Sequence, residues 1–196
     1  MRNSVVPLNI LAIAGSIRAG SMNRRLLDAA VELAPAGMSL QISESLDSIP
    51  LFSEDREHAG AQGFDAVQRL RAQVGRADGI LIATPEYNQS IPGVLKNAID
   101  WLSRPLPDEV LIGKPIAVIG ASGGRWGTRL GQAALRQVLN ATESLVLPQP
   151  ALYVREAAQL FDAQGRLADT ATRASLTAVL QAFAQWIERT QAMVTA

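Results

Sequence analysis

Residues 8–14 read LNILAIA, a continuous apolar run that stops at Gly15. A short run of this kind predicts a strand covered on both faces, as in a parallel sheet. Leu26, Leu27, Ala30, Val31 and Ala34 then recur at helical spacing, with Arg24, Arg25, Asp28 and Glu32 on the opposite face. Pro35 and Gly37 stop that helix. Residues 38–42 predict a second strand, and 43–63 a longer loop containing Pro50 and Gly60. Phe64, Val67, Leu70 and Val74 mark a second helix, and residues 79–84, GILIAT, the next buried strand, ended by Pro85. Residues 91–104 carry a helix with Leu95, Ala98, Ile99 and Leu102 in its apolar stripe. A fourth strand follows at 115–121, a fourth helix at 127–140 and a fifth strand at 144–147. A last helix spans about 170–191, with Leu176, Val179, Leu180, Phe183 and Ile187 on one face, and segment 148–164 has no clear pattern.

Strand and helix alternate five times, which predicts an α/β fold: a doubly wound parallel sheet with helices on both faces. A length of 196 residues, without repeats or an interdomain linker, predicts a single domain over 1–196. In such sheets ligands bind beyond the carboxyl ends of the strands, where the strand order reverses. The loops after the first, third and fourth strands therefore hold the candidate chemistry.

The loop after the first strand, 15–24, reads GSIRAGSMNR. A helix N-terminus presents free backbone N–H groups and partial positive charge, which suits a phosphate. Gly15 and Gly20 permit a turn and close backbone approach, Ser16, Ser21 and Asn23 add donors, and Arg18 adds a permanently charged fork. Gly15 and Gly20 have the spacing of a Walker A loop, but Ser21 and Met22 stand where it needs Lys and Ser/Thr, so NTP hydrolysis is not expected. Ile17 replaces the second glycine of the dinucleotide fingerprint. The same residues also fit a Gly/Ser turn that caps the helix and binds nothing, with Ser21 or Asn23 as the cap.

The loop after the third strand, 84–93, reads TPEYNQSIPG. Tyr87 could lie beside a flat ring, Asn88 could donate to and accept from its edge, and Glu86 could organise the loop through its side chain. Alternatively, this is a proline-fixed turn in which Tyr87 covers the core. The loop after the fourth strand, 121–129, reads ASGGRWGTR. Ser122, Gly123 and Gly124 offer backbone N–H groups, and Arg125 and Trp126 stand where a second substrate could approach. Trp126 and Arg125 equally suit a core or subunit contact.

Composition narrows the chemistry. Lys and Arg number 18, as do Asp and Glu, giving a formal net charge of 0. That balance argues against a nucleic-acid partner, which calls for a strong positive field. With no cysteine and a single histidine, His58, thiolate chemistry, His-based triads and a metal site are not expected. His58 reads as a solvated surface residue, and Lys96 and Asp100 as an i, i+4 pair. No apolar run approaches the roughly 20 residues of a membrane span, and the N-terminus lacks signal-peptide features. The expectation is a cytoplasmic protein with no membrane partner.

The blocks GSIRAGSMNR, DSIPLF, TPEYNQSIPGVLKNAIDWLSR and GKPIAVIGASGG occur in an order and spacing that resemble the NADPH-dependent FMN reductase family. The similarity is greatest to its bacterial quinone and chromate reductase branch. This resemblance implies a flavodoxin-like five-stranded sheet of order 2-1-3-4-5, non-covalent FMN, NADPH or NADH as donor, and a homodimer or homotetramer. It implies phosphate contacts at Ser16, Arg18, Ser21, Met22 and Asn23, and ring contacts at Pro85, Glu86, Tyr87 and Asn88. Ser122, Gly123 and Gly124 would flank the ring and ribityl chain, with Arg125 and Trp126 at the substrate. The helix carrying Trp101 would face the partner subunit. No side chain is expected to be catalytic, because the flavin carries the chemistry. The acceptor could be a quinone, chromate, an azo compound or free flavin. A flavodoxin-like electron carrier without its own NAD(P)H reaction, or a regulatory nucleotide-binding domain, are the competing classes.

Overall fold

The computed structural model describes residues 7–59 and 64–194. Its sheet is parallel; numbered in chain order, with β5 at Leu145–Val146, the strands lie side by side as β2-β1-β3-β4-β5. β1 (Leu8–Ala14) lies between β2 (Met38–Ile42) and β3 (Gly79–Ala83), and β4 (Pro115–Ala121) lies beyond β3. This is the flavodoxin-like order, and it reverses between β1 and β3.

Alternation along the strands divides the core into two layers. Ile10 and Ala12 of β1, Leu81 of β3 and Ile119 of β4 pack under α1 (Met22–Glu32) and α6 (Thr170–Val194), meeting Leu26, Leu27, Leu180 and Phe183. Leu11 and Ile13, Ile80 and Ile82, and Val118 face the other way. They pack under α3 (Phe64–Arg76), α4 (Gly93–Leu102) and α5 (Arg129–Ala141). All residues of β3 and β4 are buried, as a strand covered on both faces must be.

Two regions differ from the sequence expectation. The predicted loop 43–63 contains a short helix, α2 (Glu54–Ala59), whose acidic first turn carries no apolar stripe long enough to signal it. The backbone of His58 is on this helix; its side chain, and Gly60, lie outside the described residues. The fifth strand is broken. Its first piece, β5 (Leu145–Val146), pairs with the start of β4, and a second piece, β6 (Leu152–Val154), pairs with its end, Leu152 opposite Ile119. Pro148 and Pro150 cannot donate to a ladder, which explains the interruption. The unplaced segment 148–164 thus completes the sheet edge beside the loop after β4.

Trp101 is 2% exposed. Its indole N–H donates to Pro50 O at 2.7 Å, and its ring meets Phe52 and Phe64 edge-on at 5.0 and 5.7 Å between centroids. It anchors loop 43–63 within its own chain. The expected Lys96–Asp100 pair forms at 2.7 Å.

Candidate functional site

Ser16, Arg18, Ser21, Met22, Asn23, Pro85, Glu86, Tyr87, Ser122 and Gly123 line one open groove of about 590 Å³, together with Ala121. Asn88, Gly124, Arg125 and Trp126 lie outside its lining, further along the same loops.

On the phosphate side, Ser21 is the N-cap of α1, and its Oγ accepts the Arg24 N–H at 3.2 Å. The capping role left open in the sequence is therefore real. It occupies one N–H only; those of Met22 and Asn23, in the first turn, have no helical acceptor and border the groove. The Arg18 side chain is exposed and donates from Nη2 to Gly20 O at 3.1 Å. The 11-residue helix directs its positive end at this spot.

The Asn23 side chain is engaged elsewhere than a phosphate requires. Nδ2 donates to Ala121 O at 2.9 Å, and Oδ1 accepts from Ala121 N at 2.8 Å. The residue is 3% exposed. It clamps the start of α1 to the end of β4, so what it offers an anion is chiefly its backbone N–H.

Glu86 forms a second clamp. Its Oε2 accepts from Leu130 N and Gly131 N, each at 2.8 Å. Thr128, the N-cap of α5, makes no side-chain capping bond, so the carboxylate reaches across from the neighbouring loop to do so. The expected loop-organising role of Glu86 thus has a definite partner. Beyond it, Asn88 and Gln89 have φ of 49° and 64°, and Tyr87 and Ser90 exchange two backbone hydrogen bonds of 3.0 Å. This is a two-residue hairpin turn in the left-handed region. Gln is an uncommon occupant there, so the tip carries some strain. The turn leaves Tyr87 exposed at the groove rather than over the core.

After β4, the N–H of Gly124 bonds Ser122 Oγ at 3.1 Å, and Ser122 N bonds Val154 O at 2.9 Å, fixing the loop to β6. Gly127 has φ +68°, outside the helical region, and α5 starts two residues on at Arg129; a Cβ at Gly127 would lie 3.1 Å from Tyr153 Cβ. Arg125 and Trp126 stack on each other with Cζ 4.7 Å from the ring centroid, and both are exposed. Neither is a core anchor.

A dianionic, flat-ringed ligand fits this donor set. Among the described residues Glu86 is the one carboxylate lining the groove, and its Oε2 is turned onto the N–H groups of Leu130 and Gly131. At Gly20 and Gly123 a Cβ would meet no protein atom within 4 Å, so the space beside both is open to a ligand. A second cavity, of about 750 Å³, is lined by Glu57, Phe64, Arg71, Trp101 and Arg104 among others. Its guanidinium groups are engaged, Arg104 on Glu57 at 3.0 Å and Arg71 on the carbonyl of Asp108 at 2.8 Å. Its hydrogen bond to Glu57 raises the Arg104 pKa, whereas burial lowers that of Arg71.

A mononucleotide-type groove at the switch point of a sheet with this order defines a flavodoxin-like nucleotide-binding protein. The chain belongs to the NADPH-dependent FMN reductase family, whose match spans residues 8–159. It is 46% identical over 183 residues to an NAD(P)H-dependent FMN reductase of Pseudomonas aeruginosa, covering 93% of this chain and 96% of that one. It is 40% identical over 184 residues to a quinone reductase of Escherichia coli, covering 93% and 96%. Among solved structures, a flavoenzyme NAD(P)H:(acceptor) oxidoreductase from Paracoccus denitrificans superposes with a TM-score of 0.84 at 32% identity, covering 93% and 98%.

Proposed function

We propose that the protein is an FMN-dependent NAD(P)H oxidoreductase that reduces a small-molecule acceptor of the quinone class. The observation that carries this reading is the convergence of three loops on one groove that offers free N–H groups and a cation at one end. Bound FMN would supply the two-electron chemistry that links hydride donation by NADPH or NADH to reduction of the acceptor. The chain's own part is to bind and orient. Ser16, Arg18 and the N–H groups of Met22 and Asn23 hold the phosphate, with Ser21 fixing the helix that presents them. Pro85, Glu86, Tyr87 and Asn88 line the ring, Glu86 through its backbone, because its carboxylate is committed to α5. Ser122, Gly123 and Gly124 flank the ring and ribityl chain, and Arg125 and Trp126 meet the substrate.

Donor and acceptor use the same opening in turn, a ping-pong order that requires no side-chain nucleophile. Chromate, azo compounds and free flavin fit the same open mouth as quinones. The protein works in the cytoplasm as a homodimer or homotetramer, which sedimentation measures directly. Among the described residues no helix is long and apolar enough to cross a membrane.

The test is reconstitution. Purified protein supplied with FMN should become yellow and consume NADH or NADPH with benzoquinone, giving parallel double-reciprocal plots. Binding of FMN without consumption of either donor would leave an electron carrier in place of an enzyme.

A further inference from the structure

Beyond the groove, the mouth of the site carries two cation–aromatic stacks side by side. Arg125 lies with Cζ 4.7 Å from the Trp126 ring centroid, and Arg129 with Cζ 5.8 Å from that of Tyr153. Trp126 is 64% exposed and Tyr153 37% exposed. Both arginines are exposed, and among the described residues neither is paired with a carboxylate. Arg24, Arg69, Arg104, Arg166 and Arg173 have carboxylate partners, whereas the guanidinium groups of Arg125 and Arg129 lie over aromatic rings.

The ledge is fixed to the groove at two points. Ser122 and Gly123 line the groove, and Arg125 and Trp126 follow on the same loop. Glu86, also in the lining, binds the N–H groups of Leu130 and Gly131, next to Arg129. Tyr153 supports the loop from beneath, against the backbone of Gly127.

A guanidinium stacked on a ring keeps its in-plane N–H groups free for phosphate oxygens, while the open ring face accepts a flat heterocycle. Unpaired cations beside exposed aromatics complement a ligand that is both polyanionic and aromatic. We propose that this ledge of Arg125, Trp126, Arg129 and Tyr153 holds the adenosine-phosphate end of the nicotinamide dinucleotide, while the nicotinamide reaches the flavin ring at the mouth of the groove. This rests on the proposed NAD(P)H activity and adds the part of the donor that does not react.

The experiment compares KM for NADPH, NADH and reduced nicotinamide mononucleotide, which has the reacting ring but lacks the adenosine phosphate. Arg125→Ala and Trp126→Ala are each expected to raise KM for NADPH by about tenfold or more relative to the effect on the mononucleotide. Trp126→Phe is expected to restore most of the loss. A larger effect on NADPH than on NADH assigns the 2′-phosphate to the ledge; equal effects assign the diphosphate and adenine. The proposal is overturned if KM for the mononucleotide rises as much as that for NADPH, or if neither moves. A wild-type protein that oxidises no donor refutes the proposed function itself, whereas oxidation with an unmoved KM refutes only the ledge. Because both side chains are exposed, urea midpoints matching wild type are expected and identify any variant whose KM reflects misfolding.

Discussion

Replacement of Glu86 separates its two roles, as a wall of the groove and as the cap of α5. In Glu86→Ala the N–H groups of Leu130 and Gly131 both lose an acceptor at 2.8 Å. Leu130 is 51% exposed, so its N–H recovers a water. Gly131 is buried, and leaving its N–H unpaired costs about 1–3 kcal/mol. Losing a negative charge at a helix N-terminus adds about 0.3–1 kcal/mol. The sum is about 1.3–4 kcal/mol, which for a urea slope of about 2 kcal/mol/M moves the unfolding midpoint by about 0.7–2 M. Glu86→Gln keeps an acceptor oxygen and loses the charge alone, so it should cost about 0.3–1 kcal/mol. FMN affinity should fall in the alanine variant, because the loop 84–93 is no longer tied to α5. A Glu86→Ala protein as stable as wild type, or a Gln variant as damaged as the Ala variant, would refute the capping argument.

Other expectations follow from single contacts. Asn23→Ala leaves Ala121 N–H and C=O without partners in a buried site, and should lower stability by about 2–3 kcal/mol in urea unfolding and weaken FMN in fluorescence titration. Gly120→Ala drives a Cβ into Thr128 Oγ1 and the carbonyl of Thr84, so it should destabilise by more than the usual cost of about 1–3 kcal/mol for overpacking; a normal thermal midpoint would contradict that packing. Asp169 accepts from the N–H and hydroxyl of Thr172 at the start of α6, and these bonds lower its pKa. A depressed carboxylate contributes stability above its unfolded pKa and loses it as pH falls through the folded one. Asp169→Asn should therefore flatten the acid limb of the stability–pH curve below the ordinary Asp range, and an unchanged limb would argue against the cap.

The elements most legible in the chain were those whose burial is two-sided. β1, β3 and β4 are continuous apolar runs, and their edges fell within a residue of the reading. What escaped was set by tertiary partners. α2 has no apolar stripe, and β6 is three residues long with alternating burial, so neither rises above loop composition. In the site, residue types pointed to the right loops, but not to what each side chain does. Nothing in the sequence near Asn23 signals a bond to Ala121, 98 residues away, nor near Glu86 a cap on a helix 44 residues on. Tyr153 was invisible as a neighbour of Gly127 and Arg129 because it sits on the strand fragment that two prolines disguise.

The central claim is that the start of α1 and Arg18 grip a phosphate, and comparing FMN with riboflavin isolates that group. Wild-type protein should bind FMN at least about a hundredfold more tightly than riboflavin in fluorescence titration, and Arg18→Ala should close most of that gap by weakening FMN alone. Equal affinity for the two flavins, or a gap that Arg18→Ala leaves intact, would contradict the account.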